Sequence, residues 1–175
     1  MIRTFCEWLD LLPSSIALRE SLNAFPILLT SHVLSMCMFA GLVMMMDFRL
    51  AGIGNKSTSI IDAQERLFPW QFIGGVVSFV TGILLVYSKP MTYYVNFYFW
   101  LKLFLIAVAF VNVGYFHFKT YLTVQQWNTA LTPPVAVRTA GYVSIALWAW
   151  IVIIGRMAAY PGLVPQWWLD LGLGA

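Results

Sequence analysis

Residues 24–46 read AFPILLTSHVLSMCMFAGLVMMM, without a single Asp, Glu, Lys or Arg. That outlasts the roughly 20 residues a helix needs to cross the hydrocarbon core of a bilayer. A lone strand would leave its backbone polar groups unpaired in lipid, so the stretch reads as a transmembrane helix. Three more apolar segments follow it. Leu67–Ser88 is closed by Lys89 and Pro90; Tyr94–Phe118 is interrupted by Lys102 and His117; Thr139–Tyr160 is interrupted by Arg156 and stopped by Pro161-Gly162. The expected fold is all-α: an integral membrane four-helix transmembrane bundle, one domain over 1–175, with spans near 24–46, 67–88, 94–118 and 139–160.

Composition agrees. The 175 residues are 61% hydrophobic and 10% charged, with a mean hydropathy of +0.79, whereas a soluble domain is about a quarter charged. An aromatic fraction of 17% with such sparse charge excludes disorder. The net charge of +3 contains no basic run that could track a phosphate backbone, so nucleic acid is not an expected partner. Cys6 and Cys37 are too far apart in sequence for a C-x-x-C pair, which argues against a disulfide framework or a zinc site.

The segments outside the spans have their own signals. Met1–Leu12 holds Arg3, Glu7 and Asp10 and lacks the apolar centre of a signal peptide. Ile2–Leu12 alternates those charges with Phe5, Trp8, Leu11 and Leu12, the pattern of an N-terminal interfacial helix. Gly52–Arg66 is polar, and Ser57 or Thr58 is placed to cap a short amphipathic helix ending near Pro69. Tyr121–Arg138 contains Pro133-Pro134 and reads as a loop, and Trp167-Trp168 as an interfacial anchor. Arg49, Lys56, Arg66, Lys119 and Arg138 fall on the side away from the termini. The positive-inside rule then makes that side cytoplasmic and places both termini outside, in the periplasm.

Ionisable groups inside a bilayer are costly and point to function. His32, Lys102 and Arg156 all fall in the half of the membrane nearer the termini, roughly 5–10 Å from the midplane at 1.5 Å per residue. The nearest acid is Glu20, beside Arg19. Two intramembrane cations without a carboxylate suit a bound dianion, such as the propionates of a haem, with His32 as the iron ligand. The alternatives are cations that snorkel to the interface and a histidine that packs between helices. His117 is a second candidate metal ligand, but His32 and His117 are separated by roughly 20 Å in depth and cannot share one iron. A five-coordinate iron, a Met ligand such as Met36 or Met157, or a ligand from another subunit, including a second copy of His32 across a two-fold axis, remain as alternatives. Met36, Cys37 and Met38 beside His32 also raise a copper(I) site, against the ordinary role of Met as a gap-filler. Trp148 and Trp150 sit near the middle of the fourth span, where they would line a cofactor or quinone pocket or simply pack. Gly74, Gly75 and Gly82, with Gly41 and Gly114, read as close helix contacts. Near the cytoplasmic side, Asp47 is expected to pair with Arg49 or Arg138.

Arg19-Glu20-Ser21, His32, and Asp47-Phe48-Arg49-Leu50-Ala51-Gly52 resemble an uncharacterised family of short bacterial four-helix membrane proteins. Pro69-Trp70, Thr81-Gly82, Lys102, Asn112, Trp148 and Gly155-Arg156-Met157-Ala158-Ala159-Tyr160 extend the resemblance over nearly the whole chain. Phe48 stands where that family usually has Leu. The resemblance implies a four-helix unit and draws attention to His32, Lys102 and Arg156. A looser similarity is to the haem-b membrane anchors of respiratory enzymes.

The leading expectation is a small, non-catalytic subunit of a redox complex in a bacterial inner membrane. It would bind haem b through His32, with Lys102, Arg156 and Arg19 toward the propionates and Met36 and Trp148 close by, and pass electrons between quinol and an outer-face partner. The alternatives are a non-redox anchor or assembly subunit, including a homo-oligomer, and a copper-handling or transport protein.

Overall fold

The computed structural model describes residues 1–54 and 56–170. They are all-α, and no strand occurs among them. The order is α1 (Ile2–Asp10), α2 (Pro13–Glu20), α3 (Ala24–Leu50), α4 (Ile60–Ser88), α5 (Pro90–Tyr94), α6 (Phe97–Tyr115), α7 (Val124–Trp127), α8 (Val135–Met157) and α9 (Gln166–Trp168). A π turn, Phe116–Thr120, and a 3₁₀ turn, Tyr121–Thr123, join α6 to α7. Helices α3, α4, α6 with its continuation to Trp127, and α8 are long and apolar enough to cross a membrane. The chain is a multi-pass membrane protein by that measure.

Outward-facing residues on these helices are themselves apolar: Phe72 is 61% exposed, Phe79 70% and Phe104 63%. In lipid such a face meets a solvent as apolar as itself, so stability must come from close packing and from polar contacts between helices.

Three boundaries differ from the sequence expectation. Helix α4 starts at Ile60 and runs through Pro69 without a break. The N–H that proline lacks costs one intrahelical bond, which long membrane helices tolerate. The start is capped by Ser59, not Ser57 or Thr58: the Ser59 hydroxyl accepts from the Asp62 N–H at 3.1 Å. Helix α6 begins at Phe97 because the Asn96 side-chain oxygen accepts from the N–H groups of Tyr98 and Phe99 at 2.9 and 3.3 Å. Helix α8 begins directly after Pro133-Pro134.

The residues fall into two compact units. The first comprises Met1–Met36, Gly74–Lys102 and the chain from Ile154 onward. In it α1 packs against α5 and α2. Ser15, fully buried, donates to the Tyr87 and Ser88 carbonyls at 2.8 and 3.4 Å and ties α2 to the end of α4. Asn96 donates to the Ala158 carbonyl at 2.9 Å, tying the start of α6 to the residues after α8. The amphipathic α1 has the expected charges on one side, with Arg3 and Glu7 paired at 3.0 Å and Phe5 stacked on Trp8.

The second unit comprises Cys37–Ile73 and Leu103–Ile153. Met46, Leu50, Ile60, Ala63, Val124, Trp127 and Val137 form one buried cluster; Ala40, Ala109, Trp148 and Ile151 form another. Two residues past the end of α3, Gly52 has a φ of +76°, the left-handed conformation that favours glycine. The expected Asp47–Arg pairing does not occur. Asp47 is hydrogen-bonded by the Ser144 hydroxyl. Arg49, 1% exposed, donates instead to the carbonyls of Thr58 at 2.8 Å and Ala130 at 3.3 Å. Loop carbonyls left over at a helix end need donors, and a guanidinium with five N–H groups can supply two of them at once. Gly141 lies so close to α3 that an added Cβ would stand 2.9 Å from the Asp47 carbonyl oxygen.

Candidate functional site

His32 lies on α3 in the first unit, half-buried against α4. Its Nδ1 is 3.0 Å from the Ser78 carbonyl oxygen and 3.0 Å from the Thr81 hydroxyl. A carbonyl only accepts, so the Nδ1 carries the proton. The Thr81 hydroxyl spends its own proton on the Val77 carbonyl at 2.6 Å, which leaves its oxygen as a second acceptor for the same Nδ1–H. With its proton on Nδ1, the neutral imidazole keeps a lone pair on Nε2. Gly82 makes the room: an added Cβ there would be 3.1 Å from His32 Cε1. The carbonyl of His32 in turn accepts from the buried Ser35 hydroxyl at 3.1 Å.

Lys102, on α6, is an electrostatic neighbour of His32. Its ammonium lies on the backbone of Gly155, where an added Cβ would be 3.4 Å from Nζ. Nζ is 3.8 Å from the sulfur of Met36, one helical turn beyond His32. A thioether is a weak acceptor, and the two ion pairs among the described residues involve neither Lys102 nor His32. The first unit therefore contains an imidazole, a thioether and an ammonium without a carboxylate, drawn from α3 and α6 and seated on glycines of α4 and α8.

The other expected members lie elsewhere. Arg19 is paired with Asp10 at 2.7 Å, so its charge is already answered by an acid nine residues earlier. Arg156 is exposed; it donates to the Tyr160 hydroxyl and lies over that ring, with its guanidinium 4.9 Å from the centroid. The side chain is thus held at its polar end by a tyrosine four residues on, rather than turned toward His32 and Lys102. Trp148 belongs to the second unit, buried edge-on against Phe39 at 5.0 Å between centroids, with its indole N–H unpartnered. His117 is also in the second unit, exposed in the π turn and stacked on Tyr121 at 5.5 Å. Cys37 and Met38 are exposed. Among the described residues no three His, Cys, Asp or Glu side chains come together to hold a metal.

Two close glycines, Gly82 and Gly155, turn out to seat the site, whereas a Cβ added at Gly41 or Gly114 would meet nothing within 4 Å, so these two are not close helix contacts. Sequence reasoning did not assign Ser78 and Thr81 to His32, nor Asp10 to Arg19. Thr81-Gly82 was a legible signal, a hydroxyl beside a small residue in mid-helix. The Ser78 contact uses a backbone carbonyl and leaves no trace in residue type.

Comparison with family models, with curated proteins and with solved structures returns no match.

Proposed function

We propose that the chain is a small membrane subunit of a redox complex in which His32 ligates the iron of a b-type haem. The observation that carries this reading is the double anchoring of the His32 Nδ1–H by Ser78 and Thr81, which fixes the ring and leaves Nε2 as the donor. Histidine ligands to metals are held in this way, with the second nitrogen bonded to a carbonyl or hydroxyl. Lys102 supplies a cation beside it, suited to a propionate.

The residues fit the group in part. His32 fits as one ligand and Lys102 as one counter-charge. Arg19 and Arg156 do not fit a propionate clamp, because Asp10 and Tyr160 already engage them. Met36 does not fit as a second ligand beside His32: it projects from the same helix face, and its sulfur already faces the Lys102 ammonium at 3.8 Å. When bound, the group supplies one-electron transfer. The chain's own residues hold the imidazole in one tautomer and place an ammonium within its field. In this reading the spans lie in a bacterial inner membrane with the termini outside, electrons pass between quinol and an outer-face partner, and the chain belongs to the four-helix family it resembles.

The test is the visible spectrum of protein purified in detergent from cells supplied with haem precursor. A Soret band that His32→Ala abolishes and His117→Ala leaves in place is expected. A folded protein without that band overturns the proposal.

A cofactor-free anchor or assembly subunit is the second reading. It is favoured by the ion pair at Arg19 and the tyrosine at Arg156, which engage both guanidiniums without a bound dianion. Co-purification of a colourless protein with a membrane partner in mild detergent would support it. Copper handling is disfavoured by the Lys102 ammonium at the Met36 sulfur, which sets a cation where a copper(I) ion would bind.

A further inference from the structure

A recess of about 190 Å³ in the first unit is lined by Ile2, Tyr94, Trp100 and Trp168. The sequence marks Ile2 as part of an interfacial helix and Trp167-Trp168 as an interfacial anchor, but not the recess, which is assembled from α1, α5, α6 and α9. Tyr94 and Trp100 form two of its walls, with ring centroids 6.3 Å apart and planes at 80°. Each indole N–H is spent elsewhere. Trp100 Nε1 donates to the Tyr94 carbonyl at 2.8 Å, and Trp168 Nε1 donates to the Val95 carbonyl at 2.9 Å. These bonds fix both rings and leave most of the lining as carbon.

The chemistry of that lining selects its ligand. An anion needs N–H or cationic donors, and the indole donors are consumed. A primary ammonium needs acceptors for its three N–H groups. A quaternary ammonium has neither donor nor acceptor, and the negative faces of Trp and Tyr attract it within about 6 Å of a ring centroid. Arg3, next to Ile2 in sequence, is paired with Glu7, and the Lys102 ammonium, two residues from Trp100, is turned to Met36 and Gly155. We propose that this recess is an aromatic cage for a quaternary ammonium group, either the headgroup of a choline lipid or a free quaternary amine. The cage is independent of the His32 reading and stands whether or not that reading holds.

The experiment measures binding of labelled choline to the detergent-purified protein in a maltoside, at constant ionic strength. Saturable binding is expected, displaced by tetramethylammonium and not by the neutral isostere in which carbon replaces the nitrogen. Trp100→Leu should weaken it about tenfold, a typical loss for a desolvated cation–π wall. Because Trp100 also contributes to packing, a second pair of variants uses the exposed Ile2. Ile2→Glu should tighten binding and Ile2→Lys should weaken it, since only the sign of the added charge differs. The same protein in nanodiscs of phosphatidylcholine or phosphatidylglycerol separates the two sources. Loss of choline binding only in phosphatidylcholine identifies the lipid headgroup as occupant, and equal binding in both identifies a free solute. Absence of saturable binding, equal displacement by the neutral isostere, or equal weakening by Ile2→Glu and Ile2→Lys overturns the proposal.

Discussion

Replacing Gly141 with alanine tests a close approach of α8 to α3 in the second unit. An alanine Cβ would stand 2.9 Å from the Asp47 carbonyl oxygen, 3.1 Å from the Ala51 amide nitrogen and 3.3 Å from Leu50 Cβ. The first two atoms are backbone, joined to each other by the helical bond from Ala51 N–H to Asp47 O at 2.8 Å. Neither can swing aside as a side chain would, so α3 or α8 must move by about half an ångström to restore van der Waals contact. Overpacking of this kind costs about 1–3 kcal/mol, while alanine in place of glycine returns at most about 1 kcal/mol of helix propensity. The net loss is about 1–2 kcal/mol, and at about 2–4 °C per kcal/mol for a chain of this size the melting temperature should drop by several degrees. Thermal unfolding in detergent, followed by tryptophan fluorescence, measures it. Gly41→Ala and Gly114→Ala are the controls, because an added Cβ at either meets nothing within 4 Å, and both should melt at or above the parent temperature. A Gly141→Ala protein that melts with the controls would refute the reasoning.

Asn96→Ala removes the cap of α6 together with the bond to the Ala158 carbonyl, and should cost about 1–2 kcal/mol in the same unfolding assay. Ser15→Ala removes a fully buried hydroxyl from the Tyr87 and Ser88 carbonyls and should cost about 1 kcal/mol. The Cys6 thiol is pushed up from its ordinary range by burial and then by the Glu7 carboxylate, so its reactive thiolate should appear only at a higher pH than in a free thiol. Alkylation read at the Cys6 peptide should therefore rise with pH through a displaced midpoint, and Glu7→Gln should bring that midpoint down.

The four spans were legible because each is a local sum. Every residue of 24–46 adds its own transfer free energy, and no neighbour from another helix is needed to make the total favour lipid. The helix ends were legible only where a local cue dominated. Pro133-Pro134 was legible as a break, but α8 starts directly after it at Val135 and not at Thr139, and the cap of α6 depended on recognising Asn96 inside a run of aromatic residues. Pro69 misled in the other direction, since a proline that would stop a helix in water is carried within α4.

The polar residues show where local reasoning ends. Sequence depth placed Lys102, Arg156 and His32 in one layer, and the absence of a nearby acid suggested that their charges act together. Depth is a translation along each helix; convergence also requires rotation about it. That rotation turns Lys102 toward Met36 and Gly155, and leaves Arg156 on the outside with Tyr160. Arg19 finds Asp10 by a fold of the chain between α1 and α2.

The sequence by itself determined that the chain is all-α, that four helices are apolar enough for a membrane, and which titratable side chains those helices carry. Only the tertiary structure decided that His32 is anchored through Nδ1, that Arg19 and Arg156 have partners of their own, that Asp47 and Arg49 do not pair, and that three aromatic rings from separate helices line a recess. The reason is physical. Burial in lipid is an additive property of single residues, but a hydrogen bond or a cation–π contact depends on two groups meeting within a few ångströms, and helix rotation and crossing set that distance.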